Sequence, residues 1–296
     1  MSLYLLVALF IFGLSVGSFL NVVVNRFEPS SFVFNLEKLS GRSRCPHCGK
    51  KLKWFELIPL LSFLVQGGKC RGCSKKLSIE YPLVEMASGL ILAGVPFFLY
   101  NFYDVSSLPV NINYFSVLAA LWILVFLTLL LISEIDRKFY LIPNELNLSL
   151  AGLGLFVIVF KSLISKSVLP FHNSFLEHYS LLVSPFRSVW INHIFGAVIG
   201  ALFFLFLIWV SSGKATGWGD VKFAFAGGLA FGWPDIGFSL ALAFIIGGIV
   251  GAFYLWTGEK SMKGKLPFAP FLVIGFVLTF FFGFDILHNY LLLLGL

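Results

Sequence analysis

Long apolar runs separated by short polar stretches dominate the chain. Eight of them centre on residues 3–24, 83–101, 114–133, 146–164, 189–210, 221–233, 236–256 and 268–292. A helix needs about 20 mostly apolar residues to cross a hydrocarbon core about 30 Å thick. The pattern therefore predicts an all-α polytopic membrane protein with about eight transmembrane helices. The run 221–233 is short and rich in glycine, and so is the least like a full span. Gly13 and Gly17 in the first run, and Gly196 and Gly200 in the fifth, stand four apart, a spacing that lets helices approach closely. Asn21 and Asn25 share a face near the end of the first helix, where they suit a polar ligand or hydrogen bonds to a neighbouring helix.

One sizeable stretch breaks the apolar pattern, residues 25–82, so the chain divides into a first membrane helix (1–24), this polar segment (25–82) and a membrane domain (83–296). The segment holds all four cysteines, as Cys45-Pro46-His47-Cys48 and Cys70-Arg71-Gly72-Cys73. Two C-x2-C pairs about 20 residues apart make a tetrahedral thiolate site for zinc. Four thiolates leave no open position for water, so Cys45, Cys48, Cys70 and Cys73 predict a structural ion; a pair of disulfides is the alternative. His47 is expected to face solvent. Between the pairs, Trp54 to Val65 is apolar, too short to span and interrupted by Pro59. It is expected either to lie on the membrane or to form a small core beneath the metal.

Composition sharpens the class. The 296 residues are 58% hydrophobic and 12% charged, with a mean hydropathy of +0.93, far from a water-soluble domain. The net charge of +7 does not point to nucleic acid. With the N-terminus outside, 18 of the 21 Lys and Arg fall in cytoplasmic segments, 11 of them in residues 25–82. That is the positive-inside bias. It puts the cysteines in a reducing compartment, which favours zinc over disulfides. The first run has no basic residues ahead of it and no small-residue cleavage pattern, and reads as a retained helix rather than a signal peptide.

Among the acids, two combine a membrane-edge position with a flanking turn. Asp136 follows the third run in Ser133-Glu134-Ile135-Asp136-Arg137-Lys138, and Asp220 closes the turn Gly217-Trp218-Gly219-Asp220. Each has a plainer reading: Asp136 as an interfacial ion pair with Arg137, Asp220 as a helix N-cap. Gly217 and Gly219 add backbone freedom and close approach that an N-cap does not require. Two carboxylates brought together cannot both ionise easily. The ionised one then takes a proton from water while the other polarises a peptide carbonyl, which is aspartic-protease chemistry. Glu85, early in the second helix, reads either as a favourable N-terminal acid or as a functional carboxylate. An ion-coupled transporter using the same acids is the alternative function, and a non-enzymatic assembly factor a third. The outer loop 165–188, with His172 and His178, carries no chemical signal.

Several motifs, taken in order, resemble those of the bacterial type IV prepilin peptidases. They are Gly17-Ser18-Phe19-Leu20-Asn21-Val22-Val23, the paired cysteines with Glu56-Leu57-Ile58-Pro59 between them, and Tyr81-Pro82 to Glu85. Ile135-Asp136 to Ile142-Pro143, the G-x-G-D turn and Pro267-Phe268-Ala269-Pro270-Phe271 complete the set. The resemblance implies a GxGD aspartic peptidase with Asp136 and Asp220 as catalytic pair, Gly217 and Gly219 in support, in the bacterial inner membrane with site and zinc segment on the cytoplasmic side. Its substrates would be prepilins of type IV pili or pseudopilins of type II secretion, cut after the glycine that ends a short basic leader. The resemblance also implies N-methylation of the new terminus with S-adenosylmethionine, placed with the N-terminal motif and zinc segment; no Rossmann-type loop accompanies it here. Asn144 stands where such sequences commonly have aspartate, and Glu80 where a basic residue is frequent.

Overall fold

The structure is a computed structural model describing residues 1–29, 31–103, 112–164, 174–184, 186, 188–214, 216–257 and 266–295. Most of the outer loop's first half, with His172, lies outside the described residues, as do Asp104, Glu259 and Lys265. The described residues are helical and carry no sheet. In order come α1 (Leu3–Arg26), α2 (Leu36–Leu39), α3 (Leu61–Val65), α4 (Glu80–Phe102), α5 (Ile112–Phe139), α6 (Asn144–Ile164), α7 (Ser180–Val183), α8 (Val189–Ser211), α9 (Trp218–Phe231), α10 (Asp235–Thr257) and α11 (Ala269–Leu293).

All eight apolar runs are helical, and seven of the helices are long and apolar enough to cross a membrane: α1, α4, α5, α6, α8, α10 and α11. The eighth, α9, has 14 residues, or about 21 Å at 1.5 Å per residue. It is too short to traverse the hydrocarbon core unaided. The chain forms two compact units, Met1–Tyr100 and Asn101–Leu296.

In the N-terminal unit the glycine spacing does what it predicts. A Cβ on Gly13 would lie 2.6 Å from the Ser88 carbonyl oxygen, and one on Gly17 2.6 Å from the Glu85 Cα, so α1 and α4 touch backbone to backbone. The Asn21 amide donates to the Tyr81 carbonyl (3.0 Å) and the Asn25 amide to the Asn21 carbonyl (2.7 Å). Asn21 thus makes an interhelical bond, one of the two uses foreseen for this face, while the Asn25 bond stays within α1.

In the C-terminal unit α9 packs against α8 and α6. Small residues permit this: a Cβ on Gly228 would meet the Gly196 carbonyl oxygen at 2.5 Å, and one on Gly200 the Ala224 oxygen at 2.9 Å. Beside them Trp122, Phe126, Phe175, Phe231 and Phe280 pack edge-to-face or tilted, an arrangement aromatic quadrupoles favour.

Three polar groups, Asp235, Lys161 and His193, are sealed into this unit. Asp235, fully buried at the start of α10, accepts from the Ser174 hydroxyl and from the Phe175 N–H (3.1 Å). Buried Lys161 of α6 lies within electrostatic reach of it, with its ammonium 5.2 Å from the Phe175 ring centre. The His193 Nδ1 lies 2.8 Å from the Leu229 carbonyl oxygen. The silent outer loop is therefore pinned through residues 174–176 to a buried carboxylate. Leaving a buried charge uncompensated costs about 3–5 kcal/mol. Asp235→Ala would do so to Lys161, whose buried ammonium has no hydrogen-bond partner among the described residues, while also stripping Ser174 and Phe175 of their acceptor. Asp235→Ala is expected to lower the thermal midpoint in detergent sharply, and adding Lys161→Met to restore part of the loss; equal midpoints for wild type and Asp235→Ala would refute this role of Asp235.

Candidate active site and metal centre

The four cysteines converge, as their spacing predicts. Arg44 pairs with Lys51 and Lys69 with Lys76 as isolated antiparallel bridges, each closing a tight knuckle. Cys45 N–H donates to the Lys50 carbonyl (3.0 Å) and Gly49 N–H to that of Cys45 (3.0 Å). The second knuckle repeats this with Cys70 to Lys75 (2.9 Å) and Ser74 to Cys70 (2.8 Å). Gly49 and Ser74 hold the equivalent positive-φ corner, at 70° and 56°. The sulfurs of Cys45, Cys48, Cys70 and Cys73 all lie within 4.8 Å of one another. Tetrahedral thiolates about 2.3 Å from a zinc ion stand about 3.8 Å apart. The group therefore has the size and donor set of a metal site. Backbone N–H groups of Gly72, then Cys73, hold the Cys70 thiol down to about 6. Against a bond from the Lys50 backbone, burial and the neighbouring cysteines push the Cys48 thiol up to about 11, so the clustered sulfurs compete for protons that a metal would displace.

Glu56 joins the knuckles to the apolar segment. Its buried carboxylate accepts from the Lys53 N–H (2.8 Å) and the Lys50 ammonium (3.1 Å), and the Lys53 bond foremost holds it below the usual carboxylate range. Glu85 is buried in α4 and accepts from the Leu60 N–H at 2.8 Å. This bond fastens the 54–65 segment to α4.

In the C-terminal unit, Asp136 sits in the last turn of α5 and is 6% exposed. Its Oδ2 accepts from the Ala269 N–H, 3.1 Å away, at the first residue of α11. That N–H belongs to the first helical turn and has no intrahelical partner. The Pro267–Phe271 stretch thus delivers a backbone donor onto Asp136. Arg137 pairs with Glu134 (2.6 Å), so the ion pair anticipated for Asp136 is found on its neighbour.

Asp220 is the third residue of α9 rather than its N-cap. Its Oδ2 reaches back to the Gly217 N–H at 2.9 Å. Gly217 is extended at φ −102° and ψ 167°, a conformation open to any residue, so the unusual backbone angle expected there is absent. Nor does a close approach require Gly219: a Cβ there would stand 3.5 Å from the Ile142 Cβ, in ordinary contact. Ile142 follows Tyr140, which is left-handed at φ 54° and turns the chain from α5 into α6. Lys222, one turn after the G-x-G-D glycines, donates to Asn144 Oδ1 (2.9 Å), tying α9 to the start of α6. Through Ile142, the turn after α5 meets the start of α9, so Asp136 and Asp220 lie at the same end of this unit, each fastened by a backbone N–H at the start of a helix, where the dipole favours negative charge.

Comparison with known proteins agrees with this anatomy. Residues 11–99 match the bacterial peptidase A24 N-terminal domain, and residues 122–252 the type IV leader peptidase family. A Bacillus subtilis (strain 168) protein named prepilin leader peptidase/N-methyltransferase is 30% identical over 286 residues, covering 96% of each chain. Relatives of the same name from Stutzerimonas stutzeri and Pseudomonas aeruginosa are 30% and 29% identical. They cover 95% and 96% of this chain and 92% of their own lengths. No solved structure matches significantly. With both domain matches in order and relatives aligned almost end to end, the chain is an enzyme of the type IV leader peptidase family.

Proposed function

We propose that this enzyme removes the short basic leader from prepilins or pseudopilins at the cytoplasmic face of the bacterial inner membrane, using Asp136 and Asp220 as its catalytic pair. What supports the reading is the contact of the α5–α6 turn, at Ile142, with the G-x-G-D turn, which brings both acids to one end of the unit, each holding a helix-start N–H. Like charges so placed favour a state in which the pair shares one proton. The ionised carboxylate takes a proton from water, whose oxygen adds to the carbonyl carbon of the bond after the leader's terminal glycine. The protonated carboxyl meanwhile donates to the carbonyl oxygen. Collapse of the tetrahedral species breaks the C–N bond. The departing nitrogen takes up a proton, leaving a glycine carboxylate on the leader and a free amine on the mature chain.

Zinc at Cys45, Cys48, Cys70 and Cys73 has a structural role in this reading, since four thiolates complete its coordination. The names of the relatives support a second activity, N-methylation of the new amine. S-adenosylmethionine would supply the methyl group from its sulfonium. No strand–turn–helix cradle for a nucleoside occurs among the described residues, and Asn21 and Glu85, which lie in the N-terminal motifs, bond to Tyr81 and Leu60 within that unit. The family assignment leaves the transporter reading without support.

Purified enzyme incubated with a prepilin and S-adenosylmethionine tests both activities by intact mass. The expected product begins at the residue after the glycine and carries one added methyl. Cleavage without the methyl would remove the transferase, and an intact prepilin would remove the peptidase.

A further inference from the structure

The segment between the cysteine pairs has two unlike sides. Glu56 is buried and bonded to Lys50 and Lys53, Phe55 lies under the Arg71 guanidinium at 5.2 Å, and the Phe63 ring rests against Gly68. On the opposite side Trp54, Leu61, Leu64 and Val65 are 77%, 60%, 72% and 72% exposed, joined by Leu57 and Ile58. Membership of a cytoplasmic segment does not account for such a ridge, because soluble surfaces rarely expose contiguous apolar patches of this kind. The core-forming alternative for residues 54–65 therefore fails for these side chains, which turn away from the knuckles.

The position of the ridge identifies what covers it. Leu60, left-handed at φ 58°, is held there by the bond from its N–H to Glu85. Glu85 is five residues into α4, a membrane span that begins at Glu80, so the anchor sits about 7.5 Å along the helix at 1.5 Å per residue. Interfacial amphipathic segments bury their apolar face about 5–10 Å into the headgroup and acyl boundary. α4 itself exposes apolar side chains at Leu83 and Leu90, as a membrane span does. Lys51, Lys53, Lys69, Arg71, Lys75 and Lys76 are exposed around it, complementary to anionic headgroups.

We infer that residues 54–65 form a membrane-embedded wedge that seats the cysteine knuckles on the bilayer, with Trp54, Leu57, Leu61, Leu64 and Val65 among the lipid chains and the six cations at the headgroups. The knuckles are then anchored independently of any substrate, and Glu85 is a positioning residue for the wedge.

The test is photocrosslinking of the full-length protein in vesicles of phosphatidylethanolamine and phosphatidylglycerol. p-Benzoylphenylalanine replaces Leu61, Leu64, Leu90 or the solvent-facing His47 singly, and adducts are read by mass. Phospholipid adducts at Leu61 and Leu64 are expected within about twofold of those at the α4 surface position Leu90, with at most a tenth as much at His47. A second readout leaves the wedge side chains intact: brominated lipids quench the fluorescence difference between wild type and Trp54→Phe by about half or more. Adducts to a polypeptide at Leu61 and Leu64, or probes there as unreactive toward lipid as at His47, would overturn the inference, as would a Trp54 signal indifferent to brominated lipid.

Discussion

Asp136→Asn and Asp220→Asn are each expected to cut the rate of leader removal by about a thousandfold or more, within the range that a missing general acid or base costs. The substitutions preserve size and leave an oxygen for the Ala269 and Gly217 N–H groups, so metal content and thermal midpoint are expected to stay near those of wild type. What each variant loses is the ability to share one proton between two carboxyls. Methyl transfer to a prepilin supplied without its leader is expected to survive both changes, which separates a catalytic role from general damage. Full cleavage by either variant would return its aspartate to the plainer role of a helix-start acceptor.

Loss of the metal has the largest expected effect on stability. The N-terminal unit's knuckles contain only short backbone ladders and the Glu56 bonds, with Val33, Cys45 and Cys70 among the few buried apolar side chains of the polar segment. Apparent binding free energies of structural zinc are about 10–16 kcal/mol in small peptides. Cys45→Ser with Cys70→Ser is therefore expected to abolish stoichiometric zinc and to expose the region around residues 41–79 to protease, while the C-terminal unit keeps its midpoint. Metal analysis and limited proteolysis read both. A protease-resistant segment without metal, or wild-type protein that binds no zinc, would contradict the assignment. Acidification is expected to act in the same direction, because protons compete for the thiolates and because the lowered Glu56 carboxyl contributes stability above its ordinary range and loses it as pH falls through its folded value.

Much of this architecture was legible in the residues. Apolar length alone finds the seven long helices, the cysteine spacing finds the knuckles, and the glycine pairs find the α1–α4 and α8–α9 contacts. What stayed hidden has physical causes. The donor on Asp136 is the backbone N–H of Ala269, and a main-chain group contributed across the fold has no side-chain signature. The motif around Pro267 signals its presence without its purpose. Lys161 and Asp235 look like loop-edge charges in a hydropathy plot, which cannot anticipate that aromatic packing will seal them in. Gly217 and Gly219 lack the backbone features expected of them: Gly217 gives its N–H from ordinary extended backbone, and a Cβ at Gly219 would make only ordinary contact with Ile142.

The claim at the centre is that Asp136 and Asp220 act as one unit, and a double-mutant cycle tests it most directly. Leader removal is timed by mass for the two single asparagine variants and for Asp136→Asn/Asp220→Asn over incubations long enough to register residual activity. Groups that work as a unit give grossly non-additive losses, so the double variant is expected to be no slower than the slower single. Losses that multiply, or a single variant cleaving at more than about a tenth of the wild-type rate, would contradict the shared-proton pair.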